Sequence, residues 1–206
     1  MLKNALQKNT IREIKNSLGR YLAILAIVAL GVGFFSGLKV TRQAMVQTAD
    51  EYLRDNSFFD LRLISTIGLY DEDVEAIRQE DFVLEAEGAC SADVIIAHTD
   101  GSQAVVKFHT YSDKINQVIL LEGRLPEAPE ECLVDSAMYG ADKLGSKITV
   151  ADINKEETLD LLTQKEFTVV GICQSPLYMN FERGNTTLGS GKIGGFVIVP
   201  RESFDP

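Results

Sequence analysis

Hydrophobic and polar positions follow three different patterns along the chain. From Tyr21 to Leu38, YLAILAIVALGVGFFSGL, eighteen consecutive residues carry no charge and no proline. As a helix they rise about 27 Å at ~1.5 Å per residue, close to the ~30 Å hydrocarbon core of a bilayer. The run predicts a transmembrane helix over 21–38. From Lys39 to Asp55 (KVTRQAMVQTADEYLRD) the less polar residues Val40, Ala44, Met45, Thr48, Ala49, Tyr52 and Leu53 recur at helical spacing, with no Gly or Pro to end the helix. One continuous helix is therefore expected to leave the membrane as a stalk over 39–56.

Beyond residue 57 the periods are shorter. Asp60–Ser65 (DLRLIS) alternates as a strand does, and LYDEDVEAIRQE predicts a helix with Asp71 as N-cap and an apolar stripe at Val74 and Ile77. Phe82–Glu85 predicts a second strand, which makes a β-α-β unit. Ala92–Ala97 and Gln103–His109 flank Thr99-Asp100-Gly101-Ser102, a hairpin signal because Asp-Gly tolerates positive φ. All five prolines fall at or after residue 126. Here Cys132–Asp135, Lys147–Ala151, Phe167–Cys173 and Phe196–Val199 predict strands. Ser136–Leu144 predicts a short helix stopped by Gly145, 154–164 a short helix or loop, and Gly184–Gly195 a flexible loop. The fold class expected is α+β: an N-terminal transmembrane helix extended into a stalk, then a mixed α/β domain over 57–206 with a β-α-β part and a second β-rich part.

Charge sharpens the membrane reading. The 206 residues have a net charge of -10 and are 45% hydrophobic and 24% charged, which excludes a disordered acidic tail and speaks against nucleic-acid binding. The total conceals a split, about +4 over residues 1–20 and about -14 over the rest. Lys3, Lys8, Arg12, Lys15 and Arg20 precede the span, against Lys39, Arg42 and Arg54 just after it. The positive-inside rule then places the N-terminus in the cytoplasm and residues 39–206 outside. Leu2, Leu6, Ile11, Ile14 and Leu18 form an approximate stripe among those basic residues. The leader 1–20 is thus read as an amphipathic helix on anionic headgroups or as a contact for a cytoplasmic partner. A basic flank before an apolar run also describes a secretory signal peptide. The length of the run and the lack of an A-x-A-like site after it favour a retained anchor.

Within the span, Ala29, Gly33 and Gly37 lie at i, i+4 and i+8. A small-residue face lets a second helix approach closely in lipid, which favours a multi-helix assembly. The span holds no ionisable residue and so offers no proton or ion path of its own.

Other chemistry is absent from the pattern. Gly191-Lys192 fails the P-loop spacing, because Thr186 stands where a glycine is needed and Ile193 follows the lysine. His98 and His109 share no metal-ligand spacing with Cys90, Cys132 or Cys173, which show no C-x-x-C and read as small buried hydrophobes, with one disulfide permitted outside the cell. The acids at 71–87 lack an EF-hand pattern and read chiefly as a solvated face. No residue is assigned to catalysis, a cofactor or a metal, the substrate-binding residues stay unknown, and an enzyme is not expected.

Three stretches carry a family resemblance. TIREIKNSLGRYLAILAIVALGVGFFSGLKV (10–40) resembles the first membrane helix of FtsX/MacB-like ABC transporter permeases, particularly those of Gram-positive bacteria. LEGRLPEAPEECLVDSAMYGADKLGSKITV (121–150) and FTVVGICQSPLYMNFERGNTTLGSGKIGGFVIVP (167–200) resemble the MacB-like periplasmic core domain, in which a G-R-x-P loop precedes an E-C-hydrophobic strand. The resemblance implies a porter-like β-α-β part, an incomplete core domain in this chain, and further transmembrane helices in the full-length permease or a second permease copy. It also implies a cytoplasmic ABC ATP-binding subunit as partner. The function so implied is a permease subunit that couples ATP hydrolysis to movement of the outer domain, for export or envelope remodelling. The alternatives are a single-pass anchored extracellular binding module and a secreted enzyme released by signal cleavage.

Overall fold

The structure is a computed structural model that describes residues 10, 12–13, 17–65, 68–98 and 101–205. It divides into two compact units between Glu51 and Tyr52. The first unit is dominated by helix α1, Leu18–Asp55, 38 residues long. None of its residues is buried, and the large apolar side chains from Leu18 to Leu38 are exposed around the whole helix. A helix apolar on every side, with its backbone hydrogen bonds closed internally, suits lipid and not water. The leader residues Leu2, Lys3, Leu6, Lys8, Ile11, Ile14 and Lys15, on which the amphipathic-helix reading rests, lie outside the described residues.

α1 ends in the second unit by a Schellman motif. Ser57 N donates to Arg54 O at 3.1 Å and Phe58 N donates to Leu53 O at 2.9 Å, closing two carbonyls that the helix leaves open. Ser57 takes the left-handed position, φ 50°, where glycine is usual.

Helix α2 spans Asp71–Arg78, with Tyr70 as N-cap in place of Asp71; Tyr70 N donates to Asp73 Oδ2 at 2.8 Å. The strands expected on either side of it, 60–65 and 82–85, are not formed. Alternation gives a segment the side chains of a strand, but a strand also needs a neighbour for its N–H and C=O groups. Among the described residues neither segment has a ladder partner. Leu61, Leu63, Phe82 and Leu84 are left exposed.

The strands are β1 Ser91–Ala97, β2 Gln103–Thr110, β3 Ile119–Gly123, β4 Glu131–Asp135, β5 Lys147–Val150, β6 Glu166–Gln174 and β7 Gly195–Val199, with a short helix α3 at Glu156–Asp160. β1 and β2 form the expected antiparallel hairpin, with Val94 opposite Val106. The helix expected over 136–144 is instead a turn followed by one 3₁₀ turn at Ala141–Lys143, with Gly145 at φ 80°. β3 has no counterpart in the periodicity reading, although QVILLEG is an apolar run that ends on a turn residue.

The pairings close on themselves in the order β6-β4-β7-β2-β1-β5-β6. β6 makes this possible because it is nine residues long. On one edge its start pairs with β5 (Phe167 with Ile148) and its end with β3 (Leu120 with Cys173); the other edge pairs with β4. The result is a small six-stranded barrel with β3 alongside. Alternate residues point inward as the pleat requires. Val94, Ile96, Val106, Phe108, Cys132, Val134, Ile148, Val150, Phe167, Val169, Val197 and Val199 fill the interior.

Candidate functional site: membrane face, motif loop and strap

Ala29, Gly33 and Gly37 share one exposed side of α1, and a Cβ added at Gly33 or Gly37 would meet nothing within 4 Å. The face expected to receive another helix is uncovered among the described residues. Arg12 and Arg20 are exposed; Lys3, Lys8 and Lys15 lie outside the described residues.

The G-R-x-P loop has a structural explanation. Gly123 sits at φ 83°, and a Cβ there would stand 2.2 Å from Val170 O. It pairs with Gly171, where a Cβ would stand 2.5 Å from Arg124 O. β6 bulges here, with Val170 as the extra residue between the pairs Cys132–Val169 and Leu133–Gly171. Two strands and a turn can cross this closely only if both positions lack side chains. Arg124 then reaches forward to Glu131 with two guanidinium nitrogens, Nη1 to Oε2 at 2.7 Å and Nη2 to Oε1, and Glu127 N donates to the same carboxylate at 2.8 Å. The Arg124 bonds hold the Glu131 carboxyl down at about 2. The motif staples the loop to the start of β4.

The long loop after β6, 175–194, folds back as a strap over the outer face of β4 and β7. Leu133, Cys173, Phe196 and Ile198 form a second small core there, with Tyr178 packed against it. This double coverage explains why β7 is buried along its whole length and reads as a continuous apolar run. Arg183 latches the strap. Its Nε lies 2.6 Å and its Nη2 3.0 Å from the Asp135 carboxylate, whose side chain is 0% exposed against 12% for Arg183. The guanidinium stands over the rings of Tyr178 and Phe196, which stack 4.7 Å apart. Tyr178 Oη lies 2.6 Å from His109 Nε2 on β2. Burial, and then the charges of Lys107 and Arg62, lower the His109 pKa to about 4. The strap tip is apolar and open to solvent at Met179 and Phe181.

Cys90, Cys132 and Cys173 are free thiols. Burial raises the Cys132 and Cys173 pKa values, the latter to about 12, so neither is a ready thiolate. Cys132 points into the barrel and Cys173 outward. Of the acids at 71–87, Glu85 pairs with Arg78 and Lys114, and Glu87 accepts from Ser112 Oγ and Ile115 N, so these two tie down neighbouring chain. No group of three or more His, Cys, Asp or Glu that could hold a metal occurs among the described residues. α2, Thr110–Ser112 and Arg201 line an open cleft of about 750 Å³.

With one helix among the described residues long and apolar enough to cross a bilayer, and a barrel unit that matches a periplasmic domain family, the chain falls in the class of membrane proteins with an extracytoplasmic domain. Residues 21–205 match the family model of the MacB-like periplasmic core domain, and the chain belongs to that family. Among solved structures it is similar to the periplasmic region of MacB from Actinobacillus actinomycetemcomitans, at 11% identity and TM-score 0.39, covering 64% of this chain and 55% of that one. It is also similar to a domain of a permease protein from Porphyromonas gingivalis, at 16% identity and TM-score 0.36, covering 63% and 58%. The chain thus spans a little over half the length of these two chains. A comparison with curated proteins gave no match.

Proposed function

We propose that this chain is the N-terminal part of an ABC transporter permease that carries motion from a cytoplasmic ATP-binding subunit to the extracytoplasmic barrel. Family membership supports the permease class. The observation that carries the coupling is the unbroken helix Leu18–Asp55, which continues from the apolar span to the first residues of the barrel unit without a proline or a glycine stop. Movement can be passed only through an element that holds its shape, and an internally hydrogen-bonded helix does. In this reading the N-terminus is cytoplasmic, Lys3, Lys8, Arg12, Lys15 and Arg20 face the inner headgroups and the ATP-binding subunit, and the Ala29–Gly33–Gly37 face packs on further helices of the permease or on a second copy. The role is export or envelope remodelling. Substrate contacts are left unassigned.

The test is photo-crosslinking in membranes from a photoreactive residue placed at Arg12 or Arg20. An adduct containing an ABC ATP-binding subunit is the expected result. Adducts to lipid alone would overturn the permease reading and leave the anchored binding module.

A further inference from the structure

Within the described residues only two non-glycine residues have positive φ, Ser57 at 50° and Asn116 at 54°. They lie 59 positions apart in the chain, yet they face each other. Asn116 N donates to Ser57 O at 2.9 Å, Gln117 N donates to Asn56 O at 3.0 Å, and Phe59 N donates to Asn116 Oδ1 at 3.2 Å. Asn56 in turn is bonded through its side-chain amide to Tyr52 O in the last turn of α1 at 2.7 Å. Left-handed residues outside glycine cost free energy and persist where their surroundings over-determine them. Here the surroundings are each other: Ser57 is set by the Schellman cap, and Asn116 turns its own backbone to receive it.

The segment that holds Asn116 is gripped from other sides as well. It is the connection between β2 and β3, residues 111–118. Tyr111 N donates to Val199 O at 2.7 Å, which fixes one end to β7. Glu87 accepts from Ser112 Oγ and Ile115 N, and Lys114 pairs with Glu85 at 3.2 Å, which ties the middle to the segment after α2. Two residues after Gln117, Ile119 begins β3, which pairs with β6.

We infer that the Asn56–Phe59/Asn116–Gln117 clamp is a joint that makes the C-terminal end of α1 and the β2–β3 connection move as one body. This gives the coupling reading above a named place of entry into the barrel, and it rests on that reading for its purpose only. The chemistry favours a joint over a passive surface contact. All three bonds across it involve backbone N–H donors, and one side-chain carbonyl, Asn116 Oδ1, serves the far strand of the clamp. Removing that carbonyl leaves Phe59 N without its acceptor and takes away the residue type best suited to the left-handed turn.

Amide hydrogen exchange on the full chain in nanodiscs of phosphatidylethanolamine and phosphatidylglycerol tests this. In the unaltered protein, amides of 57–59 and 116–117 are expected to exchange more slowly than those of Leu61–Ile64, which have no ladder partner among the described residues. Asn116→Ala should speed both halves together by about tenfold and leave β1, β2 and β7 protected. Asn116→Asp, which keeps an acceptor oxygen, should restore protection on both sides, and Ser57→Gly, which suits positive φ, should loosen neither. Should Asn116→Ala also unprotect β1, β2 and β7, Asn116→Gly keeps the turn while deleting the acceptor, and the same two-sided loosening is expected. Loosening confined to 116–117, or fast exchange of 57–59 in the unaltered chain, would overturn the joint. No ATP-binding subunit is needed for this measurement. The joint therefore stands or falls on this exchange pattern, independently of the crosslinking result that tests the permease reading.

Discussion

At the scale of single residues, His109 shows how the outer face of the barrel is set. It projects from β2 beside Lys107, toward Arg62, with Asp93 as the nearby acid, and its ring meets Tyr178 edge-on at 5.7 Å. Neutral imidazole suits this site and imidazolium does not. The folded protein holds His109 at about 4, below its ordinary 6.5. Between those values the unfolded chain binds the extra proton and the folded one does not, so stability contributed by His109 is present above pH 6.5 and is lost as pH falls through 4. A shift of that size corresponds to on the order of 3 kcal/mol at most. His109→Gln, which keeps a hydrogen-bonding group for Tyr178, should remove this component. Urea midpoints at pH 7 and pH 4.5 check it: the decline on acidification should be larger for the unaltered protein than for the variant, and equal declines would show that His109 is not buried neutral. Little of this cluster was legible in the sequence. Asp135 and Arg183 stand 48 positions apart, and nothing in spacing or composition links them until the barrel places β4 under the strap. The G-R-x-P loop was noticed as a motif, but its reason, a glycine-on-glycine crossing of β3 and β6, needs the register.

At the scale of elements, the long helix was the most legible feature, because an uncharged run of that length has few other physical solutions. Its continuation to Asp55 followed from the absence of a stop signal; the Schellman cap at Ser57 did not, since serine is a poor signal for a position that glycine usually fills. Strands with a partner close in sequence, such as the β1–β2 hairpin, were legible. The alternation at 60–65 and 82–85 was the same signal without a partner, and it produced no ladder. Stalk continuity can be broken deliberately. Thr48→Pro removes one internal hydrogen bond and sets a ring against the preceding turn, at a cost of about 3 kcal/mol or more. In membranes the variant should become cleavable by protease between Ala44 and Tyr52, where the unaltered helix resists. In a reconstituted transporter it should separate ATP hydrolysis from transport. Unchanged coupling would contradict transmission through the stalk.

At the scale of the whole molecule, the charge of -10 is a sum over two environments. The basic excess belongs to the leader, and the acidic excess belongs to the barrel unit. Four of those acids have structural work: Glu85, Glu87, Glu131 and Asp135 hold loops, a motif and a strap in place. Family membership and the apolar helix make this a membrane protein with an extracytoplasmic domain, while which end faces the cytoplasm rests on the positive-inside bias. Orientation is therefore where the account stands or falls. On a Cys90→Ala background, which leaves only the buried thiols of Cys132 and Cys173, the measurement is labelling of Arg12→Cys and Asp152→Cys in intact cells with a membrane-impermeant maleimide. Asp152→Cys should label at once and Arg12→Cys only after the membrane is opened, with the protein retained in membranes through an alkaline wash. Labelling in the opposite order, or release of the chain by the wash, would contradict a cytoplasmic leader, a spanning helix and an outer barrel together.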